Sequence, residues 1–140
     1  MDVMKIQSKT RGLNVYILPA QLKKIFNKTP LEHRESIVEF HYIYSKKEQK
    51  INILEVLASL ITYSASSIDD KIKMTFTAFD FDGNEAITRD EMIILCISFM
   101  RGIGIMTQSS LHHRKFSEEL ANEAFYSADT NPDGMITYDE

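Results

Sequence analysis

Apolar residues recur at helical spacing over 30–43, 53–65, 68–79, 89–101 and 118–128, with a further run near 19–27, so the chain is predicted to be all-α. Helix starts are punctuated in support of this. Thr29-Pro30-Leu31-Glu32 combines an N-cap threonine, proline at the first helical position and glutamate at the third, and Ser67 to Asp70 and Thr88 to Glu91 repeat the device. The run 89–101 is apolar almost all round. Met92, Leu95, Cys96, Phe99 and Met100 form one stripe and Ile93, Ile94 and Ile97 another, which predicts a helix buried on several sides. The stretch "GIGIMTQSSLHHRKF", residues 102–116, carries two glycines and is predicted to be a linker.

A second pattern lies between the helices. Four twelve-residue frames, starting at Thr10, Tyr44, Asp80 and Asp129, each have isoleucine at position eight: Ile17, Ile51, Ile87 and Ile136. Phe40 and Ile43, Phe76 and Phe79, and Phe125 and Ala128 stand four and one residues before the last three frames. The starts are separated by 34, 36 and 49 residues, so the repeat is interrupted by an insertion before its last copy. Adjacent frames can join their isoleucines in short antiparallel bridges, and Ile17 is expected to pair with Ile51 and Ile87 with Ile136.

The last two frames carry the chemistry. In "DTNPDGMITYDE", Asp129, Asn131, Asp133 and Glu140 supply oxygen at positions one, three, five and twelve, with glycine at six and the Met135 carbonyl at seven. Calcium takes six to eight oxygen ligands at about 2.3–2.6 Å, and a helix-loop-helix site delivers them at this spacing with a bidentate glutamate last. In "DFDGNEAITRDE" the corresponding groups are Asp80, Asp82, Asn84, the Ala86 carbonyl and Glu91. Glu85 stands at position six, where the backbone turns through positive φ, and a Cβ there costs roughly 1–2 kcal/mol. Magnesium fits the same oxygen sets. The other two frames are predicted to bind no calcium: Tyr44, Lys46 and Lys50 occupy ligand positions in one, and Thr10 to Gln21 contains no carboxylate.

These loops and their pairing resemble the EF-hand superfamily over nearly all of the chain. The long gap before the last hand and the two degenerate hands before it are similar to the branch that holds neuronal calcium sensors, calcineurin B and the calcium-and-integrin-binding proteins. The resemblance implies paired EF-hands, with residues 1–66 as a degenerate pair and 67–140 as the calcium-binding pair. It also implies a regulatory protein that binds an amphipathic target helix, with calcium tuning the contact. The frame calls for an exit helix after Glu140. Without one Glu140 is expected to be a loose terminus, and this 140-residue form to bind at its last loop at least tenfold more weakly than an extended one.

Composition narrows the rest. A net charge of −4, with basic residues scattered among acidic ones, gives no case for nucleic acid. Cys96, the single cysteine, excludes an internal disulfide; its apolar neighbours predict a buried thiol, and a reducing, cytoplasmic setting fits, the cytoskeleton or cilium included. No stretch reaches the 18 apolar residues that span a bilayer, and Asp2 in place of glycine removes the N-myristoylation signal. His112 and His113 have no partner at ligand spacing, and no catalytic constellation is present, so no enzymatic activity is expected. A calcium sensor, a structural EF-hand subunit of a larger assembly and the regulatory segment of a larger enzyme remain as readings.

Overall fold

The computed structural model describes residues 15–18, 20–21, 34–48, 50–109 and 114–140. The frame at Thr10, except for its last part, the helix near 19–27 beyond residue 21, the cap at Thr29–Glu32 and the histidines His112 and His113 lie outside them. Among the described residues are five helices, α1 (Arg34–Glu48), α2 (Ile53–Tyr63), α3 (Ile68–Phe79), α4 (Arg89–Thr107) and α5 (Arg114–Ala128). Four short strands accompany them, β1 (Tyr16–Ile17), β2 (Ile51–Asn52), β3 (Ala86–Thr88) and β4 (Met135–Thr137).

Both isoleucine pairs form as the spacing requires. β1 and β2 are antiparallel with Ile17 opposite Ile51, and β3 and β4 are antiparallel with Ile87 opposite Ile136. Ile51, Ile87 and Ile136 are buried, so each bridge also places apolar surface beneath its loops. Phe79, Ile87, Ile94, Phe125 and Ile136 share one core with Val15 and Leu54, which joins the two halves of the chain. The aromatic ring of Phe99 packs 6.0 Å from that of Phe79.

Three elements depart from the sequence reading. α1 runs on to Glu48, so positions one to five of the Tyr44 frame are helical. With tyrosine and lysine in place of oxygen ligands at positions one and three, Tyr44-Ser45-Lys46-Lys47-Glu48 continues the helix, three of its five residues being among the better helix formers. α5 begins at Arg114, earlier than residue 118.

The predicted linker 102–116 is the third departure, because α4 continues through both of its glycines to Thr107. Gly102 is buried against α2: a Cβ there would lie 2.7 Å from the Glu55 carbonyl oxygen and 2.8 Å from Ser59 Oγ. The close approach of two helices offsets the cost of about 1 kcal/mol that glycine carries inside a helix. α4 ends instead at Gln108, whose left-handed φ of 53° lets Ser109 N–H reach the Gly104 carbonyl at 3.1 Å. Ser98 and Gly102 are more buried than Phe99 and Met100, and Cys96 is half-buried, not buried as expected. Burial still pushes its thiol pKa up, away from the reactive thiolate.

Candidate calcium-binding loops

The third loop is built by the helices on either side of it. Asp80 N–H donates to the Phe76 carbonyl at the end of α3, and Thr88 caps α4 in a full capping box with Glu91. Glu91 is 4% exposed, yet both of its carboxylate oxygens are satisfied. Oε1 accepts from Phe81 N–H at 2.9 Å, and Oε2 accepts from Thr88 N–H at 2.8 Å and from the Thr88 hydroxyl at 2.7 Å. Opposite, Asp80 Oδ1 accepts from Gly83 N–H at 2.8 Å and Oδ2 from Glu85 N–H at 3.0 Å. Asn84 Oδ1 takes Ala86 N–H at 2.9 Å, and Asp82 takes both Asn84 N–H and its amide at 3.2 Å.

These bonds turn the carboxylates inward. One oxygen from each of Asp80, Asp82 and Glu91 lies within 4.8 Å of the others. Ligand bonds of about 2.4 Å to a shared calcium ion span such separations, and three carboxylates match the ion's preference for hard, anionic oxygen. Among the described residues this is the group of three or more potential ligand side chains gathered this closely.

The fourth loop repeats the network with one difference. Asp129 N–H donates to the Phe125 carbonyl, Asn131 and Asp133 accept from Asp133 N–H and Met135 N–H, and Asp129 Oδ2 accepts from Gly134 N–H at 3.1 Å. Both carboxylate oxygens of Glu140 are hydrogen-bonded. Oε1 accepts from Thr130 N–H at 3.2 Å and its hydroxyl at 3.1 Å, and Oε2 from Thr137 N–H at 2.9 Å and its hydroxyl at 3.0 Å, the same two backbone positions that hold Glu91. The Thr137 N–H, outweighing slight desolvation, holds the Glu140 carboxyl below its ordinary pKa, with the two threonine hydroxyls adding to the effect. Asp129 Oδ1, by contrast, is buried without a hydrogen-bond partner. An acidic oxygen withdrawn from water and given no donor fits a site meant for a cation.

Backbone torsions explain why the two loops differ. Positions four and six are left-handed in the third loop, at Gly83 (φ 70°) and Glu85 (φ 65°). In the fourth loop the same positions are Pro132 (φ 20°) and Gly134 (φ 84°). Each loop thus has one glycine for two left-handed residues. Proline's ring prefers φ near −65°, so Pro132 holds the fourth loop short of the third loop's turn, a conflict the sequence reading missed by testing position six alone. Glu85→Gly in the third loop and Pro132→Gly in the fourth are each expected to tighten calcium at their own loop, by up to about tenfold. Competition with a calibrated chelator checks both, and weaker binding in Glu85→Gly would mean that the Glu85 side chain supports the loop in some other way.

The sequence profile of the EF-hand domain pair matches residues 69–140, just over half of the chain. The chain belongs to the EF-hand family. It is a calcium-binding EF-hand protein related to calcium sensors. A recoverin family protein of Dictyostelium discoideum is 27% identical over 112 residues, covering 72% of this chain and 50% of the relative. Human guanylyl cyclase-activating protein 3 is 27% identical over 96 residues, 69% of this chain and 43% of the relative. Both belong to the neuronal calcium sensor branch that the loop spacing resembles. Calcium-dependent protein kinase 5 of Plasmodium falciparum is 32% identical over 90 residues, 64% of this chain but 14% of the kinase. The chain spans half or less of the length of these relatives. Among the described residues no helix is long and apolar enough to cross a membrane.

Proposed function

We propose that the chain is a non-catalytic calcium sensor in which the C-terminal pair, residues 67–140, couples calcium to the binding of a helical protein target in the cytoplasm. Asp80, Asp82, Asn84, Glu91 and the Ala86 carbonyl hold one ion, and Asp129, Asn131, Asp133, Glu140 and the Met135 carbonyl the other. The residues of 1–66 serve as a ligand-poor pair that braces them. The convergence of Asp80, Asp82 and Glu91 carries this reading, because Glu91 is also the third residue of α4. An ion that draws on Glu91 therefore acts directly on the orientation of a helix. Leu95, Phe99, Met100 and Met106 on that helix are half-buried, which leaves apolar surface for an amphipathic target to cover.

A structural role in an assembly is favoured by one observation, the conversion of the Tyr44 frame into helix up to Glu48. A hydrophobic dye separates the two. A sensor gains dye fluorescence on calcium addition and loses it on chelation. Calcium binding with no change in dye fluorescence would favour the structural role.

A further inference from the structure

The second hand has Tyr44 and Lys46 where positions one and three call for oxygen, yet its twelfth residue remains buried and paired. Glu55 is 6% exposed, and Arg101 Nε donates to its Oε1 at 2.6 Å from α4, 46 residues along the chain. Around that ion pair the two helices are in close contact. Gly102, the next residue on α4, meets the Glu55 carbonyl and Ser59, and Ser59 Oγ itself bonds the Glu55 carbonyl at 2.9 Å. Burial works against the Arg101 charge and the adjacent Glu55 carboxylate, with its hydrogen bond, favours it, the net effect being a guanidinium pKa above its ordinary value. The twelfth position of this loop therefore faces a positive charge delivered by another hand.

α4 is held at two points. Its first turn is fixed by the capping box and the Glu91 hydrogen bonds, and about 15 Å further along, at ten residues of 1.5 Å each, Arg101 and Gly102 fix it to α2. Two anchor points on one rod set its direction, and hence the aim of Glu91 at Asp80 and Asp82. We propose that Arg101 serves as a built-in cation for the second hand, and that the joint it closes between α2 and α4 and calcium at the Asp80–Glu91 loop strengthen one another. The ion pair is closed in the same arrangement that gathers the three carboxylates. Loosening the joint lets α4 sample other directions, and affinity falls with the fraction of molecules in which the carboxylates converge. Linkage makes the effect reciprocal, so calcium also tightens the joint.

This inference rests on calcium binding at the third loop, and its test separates the two. Calcium is titrated into the full chain, into Glu55→Gln and into Gly102→Ala, with affinity read from the Glu85 amide resonance. Hydrogen exchange at 55–59 is followed with and without calcium. Glu55→Gln and Gly102→Ala are expected to weaken the third loop by about three- to tenfold, at the low end of coupling between sites. Calcium is expected to slow exchange at 55–59 in the parent chain and to do so less in Glu55→Gln. Unchanged or tighter binding in a folded Glu55→Gln, with calcium-indifferent exchange in the parent, would overturn the coupling while leaving the calcium site intact. A parent chain whose Glu85 amide does not respond to calcium would overturn the site itself and the coupling with it. If Gly102→Ala does not fold, Glu55→Gln decides alone, since glutamine keeps the shape of the side chain.

Discussion

Glu91→Gln is expected to weaken calcium at the third loop by about a hundredfold, since loop affinity is tuned by ligand charge and rigidity and each 1.4 kcal/mol is a factor of ten. The substitution removes the carboxylate that, with Asp80 and Asp82, completes the converging group. It also replaces an acceptor that faces Phe81 N–H, Thr88 N–H and the Thr88 hydroxyl with an amide of which one end is a donor. Either end of that amide leaves an N–H opposed to an N–H or loses a charge-assisted bond, which costs roughly 1.5–3 kcal/mol for a buried group. The two consequences are separable. Chelator competition reads the first, and thermal unfolding without calcium reads the second. An affinity within a factor of two or so of the parent would exclude Glu91 as a ligand.

Acid is expected to destabilise the chain through His41. This side chain is 2% exposed, and burial lowers its pKa from 6.5 to about 4. Ser59 directs its own proton to the Glu55 carbonyl, so its oxygen is left to accept from His41 Nε2–H at 2.9 Å, which fixes the neutral tautomer. The unfolded chain protonates near pH 6.5 and the folded one resists until about pH 4, so the unfolded state binds more protons throughout that window. Stability is unaffected by this group above pH 6.5 and falls as pH drops from there towards 4. The full loss is on the order of 3 kcal/mol. Denaturant unfolding at several pH values should show a steeper acid loss in the parent than in His41→Gln, whose amide can still donate to Ser59. Parallel pH profiles would contradict the assignment. Because His41, Ser59 and Glu55 are linked in sequence, the same acid loss should loosen the α2–α4 joint.

How far the sequence could be read depended on whether a feature was local. Isoleucine at position eight and oxygen at one, three, five and twelve are set by the backbone of one loop, so the bridges Ile17–Ile51 and Ile87–Ile136 and the inward carboxylates of the third loop follow from spacing alone. Gly102 misled because its local meaning and its tertiary meaning are opposed: a helix-weakening residue in sequence is a helix-contact residue in space. The Tyr44 frame carries tyrosine and lysine at positions one and three, and its first five positions are helical, an outcome the frame itself does not encode. Pro132 was visible, but its consequence needed the torsions, which show two left-handed positions per loop where one was expected. The Glu55–Arg101 pair left one trace. Glu55 kept the acidic twelfth position in a loop with Tyr44 and Lys46 at positions one and three, and a buried carboxylate there needs another cation.

The number and location of bound calcium ions test the central claim most directly. In a titration of the full chain followed by amide NMR, two ions per chain are predicted, with the position-six amides of Glu85 and Gly134 moving as the sites fill and the resonances of 44–52 showing no saturable site of their own. Fewer than two ions, or an ion whose binding shifts the Tyr44–Glu55 segment and not Glu85 or Gly134, would contradict it.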